Sequence, residues 1–119
     1  MKTVLLLSVV FFVSPAFADV TYSCRFTHQN GPTVLEERSQ IITTVSNSCE
    51  VVRLELGQYS SIVSVGLSND VSGTEIGSIV LQIWNGHQLV ASAKAGSLPP
   101  TTSALTHVRG EFYQIECTQ

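Results

Sequence analysis

Short segments that alternate between hydrophobic and polar residues run along the chain from residue 19 onward. They are rich in Val, Ile, Thr and Tyr, and clusters of Gly, Asn, Ser and Pro separate them. Alternation with a period of two is typical of strands that have one buried face. The pattern predicts an all-β domain, either an antiparallel β-sandwich or a small barrel. We expect about seven strands, at residues 19–28, 40–46, 49–57, 61–68, 76–83, 87–94 and 108–117.

The alternation also assigns the core face of each segment. In the third segment Val52, Leu54 and Leu56 share one face, and in the fourth the inward set is Val63, Val65 and Leu67. Two stretches do not alternate clearly. "PTVLEERSQ" at 32–40 predicts one short helical turn or, as an equal alternative, an edge strand, and "GSLPPTTS" at 96–103 is expected to be a connection.

The chain contains three cysteines, so at most one disulfide can form within it. Cys24 shares a strand face with Tyr22 and Phe26, and Cys117 shares one with Tyr113 and Ile115. Both cysteines therefore point toward an aromatic core, and we predict a Cys24–Cys117 disulfide between the first and last strands. The other two pairings remain open at this point. In the preferred pairing Cys49 is a spare thiol whose side chain faces out or lies in a turn. We expect it to be partly buried and inert, because Glu50 opposes thiolate formation, and a reactive or intermolecular thiol is the alternative.

The first 18 residues, "MKTVLLLSVVFFVSPAFA", combine Lys2, an apolar run and an Ala-x-Ala end. This is typical of a secretory signal peptide that is cleaved after Ala18, which leaves residues 19–119 as a single domain. The apolar run is about half as long as a membrane-spanning helix, so we expect no span in the mature chain. The segment predicts export to the periplasm or the exterior of a bacterial cell, where a disulfide can persist.

Charge argues against two classes of partner. Once Lys2 is removed with the signal, five basic residues remain against nine acidic ones. The basic residues are also scattered singly along the chain rather than clustered. Neither nucleic acid nor an anionic membrane surface is therefore an expected partner.

One hairpin contains the only tryptophan of the chain, in "SIVLQIWNGHQLVASAKAG" at 78–96. A two-residue turn at Asn85-Gly86 would mix polar and apolar residues on each face. A three-residue loop of Trp84, Asn85 and Gly86 gives coherent faces instead, with Leu81 opposite Leu89. This register predicts that Trp84 lies in an exposed loop, although it could also fold back over the core. We take Trp84, Asn85 and His87 as the candidate binding residues.

Candidate catalytic chemistry is sparse. His28, His87 and His107 lie in separate segments, and no two of them have the spacing of metal ligands. A Cys49 nucleophile with His28 or His107 has no local signature to support it. We therefore expect no catalytic residue, no metal site and no cofactor.

The sequence analysis leads to a general hypothesis about function. We expect an exported, non-enzymatic β-sandwich that binds another macromolecule or a glycan in the cell envelope or outside the cell. The main alternative is a secreted protease inhibitor that presents the Pro99-Pro100 segment as bait. A subunit that assembles through an exposed edge strand is a further alternative.

Overall fold

The computed structural model describes residues 19–119, and the predicted signal segment lies outside these residues. The prediction of an all-β fold is confirmed, and the described residues contain no helix. There are eight strands, one more than the seven expected. They are β1 (Asp19–Asn30), β2 (Thr33–Val45), β3 (Ser48–Leu56), β4 (Tyr59–Asn69), β5 (Glu75–Asn85), β6 (Gln88–Ala95), β7 (Thr101–Val108) and β8 (Glu111–Thr118).

The strands form two separate antiparallel sheets of four strands each, so the fold is a sandwich rather than a barrel. The first sheet has the order β2-β1-β8-β7 and the second has the order β3-β4-β5-β6. The chain changes sheets at the turn between β2 and β3 and again at residues 96–100, between β6 and β7. All strand pairings but one join strands that are neighbours in sequence. The exception is the pairing of β1 with β8.

The pairing of β1 with β8 contains the disulfide. Cys24 lies opposite Cys117 in this ladder, and the two side chains are bonded and fully buried. The predicted disulfide is therefore confirmed, and Cys49 is the free cysteine as expected, although it is exposed rather than partly buried. Because the bond joins residues 93 positions apart, it restricts nearly the whole domain in its unfolded state.

The core lies between the sheets, on the faces that alternation assigned. Leu54 and Leu56 are buried, as is the inward set of β4, whereas Val52 packs against the core from a partly buried position. The fully buried side chains include large residues from both sheets. Those with the largest volume are Tyr22, Phe26, Leu56, Ile79, Leu81, Ile83 and Ile115.

The helical turn predicted at residues 32–40 is wrong, and the alternative of an edge strand is correct. These residues belong to the turn before β2 and to β2 itself, which is an edge of the first sheet and pairs with β1 along its length. A single helical turn in isolation gains little from hydrogen bonding. Pairing with β1 satisfies the backbone instead, while the charged side chains at 36–38 stay exposed to water.

The connection between β6 and β7 is shorter than expected, because β7 begins at Thr101. Its Leu98 side chain packs against the core and occupies the space beside Gly77 that a Cβ atom would fill. Glycine at position 77 thus allows the connection to lie close to β5.

We expect removal of the disulfide to destabilise the fold strongly. The double variant Cys24→Ala/Cys117→Ala should lower the free energy of unfolding by about 2–5 kcal/mol, because the unfolded chain regains the freedom that the bond removes. Urea denaturation monitored by Trp84 fluorescence measures this change. Cys49→Ala is the matched control, with an expected effect below about 0.5 kcal/mol. A double variant as stable as the control would contradict the prediction.

We also expect Gly77→Ala to be destabilising by about 1–3 kcal/mol, because the added methyl group overlaps Leu98. Gly66→Ala on the neighbouring strand is the control, since its nearest contact there would be an ordinary 3.8 Å. In a double-mutant cycle, Gly77→Ala should cost less in a Leu98→Ala background, as measured by thermal denaturation. Equal costs in both backgrounds would show that Leu98 is not the obstacle.

Candidate functional site

The turn between β5 and β6 differs from the three-residue loop predicted from the sequence. It consists of Gly86 and His87, and Trp84 lies inside β5, opposite Leu89 on β6. Gly86 has a φ of 62°, which suits the first position of a tight hairpin turn. The predicted pair of Leu81 with Leu89 is wrong, because Leu81 lies opposite Ala93.

A β-bulge explains the difference in register. The ladder between β5 and β6 shifts between Ile83 and Trp84, so that Ile83 pairs with Ala91 while Trp84 pairs with Leu89. The extra residue on β6 restores coherent faces with a two-residue turn. Inward residues of β5 then meet the small inward side chains of β6, at Ala91, Ala93 and Ala95.

Trp84 lies on the outward face of the second sheet, neither in the turn nor over the core. Its register partners on this face are Ser60 of β4 and Leu89 of β6. The indole is partly buried, and its Nε1–H donates a hydrogen bond of 3.1 Å to Oε1 of Gln82. The side chain is therefore held in place by its neighbours while part of it remains open to solvent.

A surface groove of about 450 Å³ lies beside the indole. We call this the Trp84 groove, and its lining consists of Arg53, Ser60, Ile62, Trp84, Gly86 and His87. Arg53 is the cation of the groove, and its Nε–H donates a hydrogen bond of 2.7 Å to Oε2 of Glu55. An aromatic surface thus lies beside imidazole, hydroxyl and guanidinium groups that can form hydrogen bonds.

The structure brings two of the three predicted binding residues together and separates the third. Trp84 and His87 line the groove, but the side chain of Asn85 is directed elsewhere. Its Nδ2 donates a hydrogen bond of 3.4 Å to Oη of Tyr59, and its Oδ1 accepts one of 2.9 Å from Nε2 of Gln58. Asn85 therefore fastens the turn after β3 to the turn after β5.

Sequence analysis missed the members of the groove that come from β3 and β4. Arg53 lies opposite Ile62 in a regular antiparallel ladder that leads to the tight turn at Gly57. The Gly57 turn could have indicated this arrangement from the sequence, since a tight turn fixes which residues of β3 and β4 lie opposite each other. Which residues lie beside Trp84 also depends on the pairing of β4 with β5. A longer connection joins these two strands, so the sequence does not fix their register.

An aromatic stack joins the sheets at the same end of the sandwich. Tyr59 of the second sheet stacks on Tyr113 of the first at 3.9 Å, and Tyr113 stacks on His28 at 4.3 Å. His28 Nε2 lies 2.6 Å from Oε1 of Glu111, and its Nδ1 lies 3.8 Å from Oε1 of Glu36. The His28 side chain is thus largely enclosed, with 17% of its surface exposed.

The other candidate residues do not converge. His107 packs against Phe112 at 5.8 Å, whereas Cys49 lies opposite Gly66, near the far end of the second sheet from the aromatic stack. No group of three or more His, Cys, Asp or Glu side chains within residues 19–119 is placed to hold a metal ion.

The Pro99-Pro100 segment is tied to the domain. The hydroxyl of Tyr22 donates a hydrogen bond of 2.6 Å to the Pro99 carbonyl, and the backbone N–H of Gln119 donates one of 2.8 Å to the Pro100 carbonyl. The Gln119 side chain also donates to the carbonyls of Leu98 and Pro99. This arrangement favours a crossover between sheets over a projecting bait loop.

Comparison with protein-family models, with curated proteins and with solved structures found no match to this chain. Within residues 19–119 there is also no helix long and apolar enough to cross a membrane.

We expect stability to fall at alkaline pH. Burial raises the pKa of Tyr113, and electrostatic repulsion from Tyr59, Glu36 and Glu111 raises it further. The folded protein then keeps a proton that the unfolded chain releases, so stability is present below pH about 10 and is lost as the pH rises through the folded pKa. In Tyr113→Phe the free energy of unfolding should fall less between pH about 8 and pH about 10.5 than in the unmodified protein. Urea denaturation at the two pH values measures this difference. An unchanged loss would contradict the assignment.

Proposed function

We propose that this protein is an exported, non-enzymatic β-sandwich that binds a glycan or another macromolecule through the Trp84 groove. The observation that supports this most directly is the position of Trp84 on the outward face of the second sheet. The core is filled by other residues, and Trp84 is not among its members. A tryptophan that the core does not use, placed beside a groove, is characteristic of binding hot spots.

The chemistry of the groove fits a glycan best. The apolar C–H face of a sugar ring can pack on an indole, while its hydroxyl groups need donors and acceptors around the edge of that contact. Arg53, Ser60 and His87 provide such groups beside Trp84. Because the groove lies on the outward face of a sheet and is open to solvent, it suits a chain of sugars better than a small molecule that must be fully enclosed.

Two other parts of the proposal, export and the lack of catalysis, are supported by features outside the Trp84 groove. The buried Cys24–Cys117 bond is consistent with an oxidising compartment outside the cytosol, as the signal-like first 18 residues also predict. The closest histidine–carboxylate pair of the described residues, His28 with Glu111, is packed in the aromatic stack that joins the sheets. We assign that pair a structural role.

The first measurement is the emission of Trp84, because it is the only tryptophan of the chain. A red-shifted emission that acrylamide quenches readily is expected for an indole that ligands can reach. Emission that is blue-shifted and protected would overturn the site. With an accessible indole, the protein is then screened on a glycan array, and each glycan that binds is titrated by calorimetry.

We expect Trp84→Ala to weaken binding of such a glycan at least 30-fold, which corresponds to the loss of about 2 kcal/mol typical of a hot spot. Val51→Ala is the matched control, since Val51 is exposed on β3 of the same sheet and is not part of the groove lining. Equal affinity of the Trp84 variant and the control would overturn the proposal. Binding of an envelope protein instead of a glycan, lost in Trp84→Ala, would retain the site and change the ligand class.

A further inference from the structure

The Trp84 groove differs in charge from the chain as a whole. Residues 19–119 contain nine acidic and five basic side chains. The groove lining nevertheless includes the cation of Arg53 and no carboxylate, and His87 adds an imidazole beside the turn. Because complementary charge favours the binding of a ligand at its site, a basic groove on an acidic protein indicates a ligand with negative charge.

The two sides of the groove come from the strands that flank β4. Arg53 projects outward from β3 and lies opposite Ile62 of β4. Trp84 projects outward from β5 and lies opposite Ser60 of β4. Because adjacent strands lie about 4.8 Å apart, the backbones of β3 and β5 are separated by about 10 Å. A ligand that lies over β4 can therefore contact the guanidinium and the indole at the same time.

The guanidinium of Arg53 is held in place with one edge free. Its Nε–H donates to Oε2 of Glu55, two residues further along the same face of β3. The two Nη nitrogens donate to no other group within residues 19–119, and Glu55 is not part of the groove lining. A pair of Nη–H donors fits the oxygens of a carboxylate or a sulfate ester, to which a guanidinium can donate two parallel hydrogen bonds.

Ser60 provides a second, independent indication of a ligand. Only 5% of this residue is exposed, and its hydroxyl forms no hydrogen bond within the described part of the chain, whereas the neighbouring Ser61 donates 2.9 Å to the Gln82 carbonyl. No side-chain oxygen of residues 19–119 that is cut off from solvent lacks a partner, so the Ser60 hydroxyl opens onto the groove that it lines. Hydroxyls so nearly buried are normally hydrogen-bonded, which leaves this one available to a ligand.

We propose that the Trp84 groove selects acidic sugars. The sugar ring packs on Trp84, its carboxylate or sulfate group binds the Nη edge of Arg53, and one of its hydroxyl groups bonds to Ser60. This inference rests on the proposed binding of a glycan and names the chemical class of the sugar. One cation satisfies one anionic group, and the acidic excess of the protein repels a chain with an acid on every sugar. The favoured ligand is therefore a glycan in which neutral sugars separate the acidic ones.

The test compares trisaccharides that differ in a single group. The central sugar is a hexuronic acid in the gluco, galacto or manno configuration. In the neutral counterpart its carboxyl is reduced to a primary alcohol, and in the sulfated counterpart that alcohol carries a sulfate ester. Calorimetric titration at low salt gives each dissociation constant. We expect the carboxylate or the sulfate form of at least one configuration to bind about tenfold more tightly than the neutral form, because charge-assisted hydrogen bonds are the stronger kind, and the two acidic forms identify which anion is preferred.

Two variants assign the preference to Arg53. Arg53→Gln should reduce the preference for the acidic form to about twofold or less, because it removes the charge that binds the anion. Lys94→Gln is the matched control, since Lys94 is exposed on β6, opposite Val80 on the same outward face, and is not part of the groove lining. It removes the same charge and should leave the preference unchanged. Near-ultraviolet circular dichroism confirms that each variant is folded.

A third variant tests the role of Ser60. Ser60→Ala should weaken the acidic and neutral forms by the same factor, about three- to tenfold, because it removes a hydrogen bond between neutral groups. The preference for the acidic form should persist in this variant. An unchanged affinity for both forms would overturn the assignment of Ser60.

The inference and the proposed function fail in different ways. Equal affinity for the acidic and neutral forms, a preference that Arg53→Gln and Lys94→Gln reduce equally, or no binding of any of these trisaccharides would overturn the inference. Neutral glycans that bind through Trp84 without a preference for acid would also overturn it, while the proposed function would stand. The proposed function fails if Trp84→Ala binds every glycan as tightly as the Val51→Ala control.

Discussion

The pairing of β1 with β8 is the contact on which the rest of the structure depends. Other pairings join strands that are neighbours in sequence, but this one joins the two ends of the domain. Without it the first sheet would be two separate hairpins, and a lone hairpin has little stability in water. The buried Cys24–Cys117 bond lies within this ladder and stabilises it covalently.

Several distant features follow from that pairing. It places Tyr113 opposite His28, and Tyr113 then reaches across the sandwich to stack on Tyr59 of the second sheet. At the other end it brings Gln119 close to Tyr22, and both side chains donate to the connection between β6 and β7. The two sheets are thus joined at one end by an aromatic stack and at the other by a hydrogen-bonded crossover.

The Trp84 groove depends on a different constraint, the strict alternation of side chains along β5. Ile79, Leu81 and Ile83 fill the core, so the residue after Ile83 projects outward. The bulge that follows adjusts β6 to this pattern and places Leu89 beside the indole. A tryptophan in the strand is more rigidly placed than one in a mobile loop, which suits recognition because less conformational freedom is lost on binding.

Much of this fold could be predicted from the sequence, because alternation and cysteine placement are local signals. The inward sets of β3 and β4 and the disulfide followed from them, whereas for residues 33–40 a helical turn and an edge strand were equal alternatives. There the charged side chains reflect an edge exposed to water, and their helical appearance was overridden by pairing with β1. The site was predicted only in part. A bulge leaves no clear mark in sequence, so Trp84 was placed in a loop, and the orientation of Asn85 depended on Gln58 and Tyr59 from another hairpin.

The long separation in sequence between β1 and β8 also affects the order in which the fold can assemble. The second sheet and the β1–β2 hairpin contain only local pairings, but the first sheet cannot close until residues 111–118 are present to pair with β1. Contacts between residues so far apart in sequence form slowly, because a long loop must close before they stabilise the chain. Closure of the first sheet is therefore the slow, late step of folding, and until it occurs the core-facing side chains of β1 and β8 have no fixed partners.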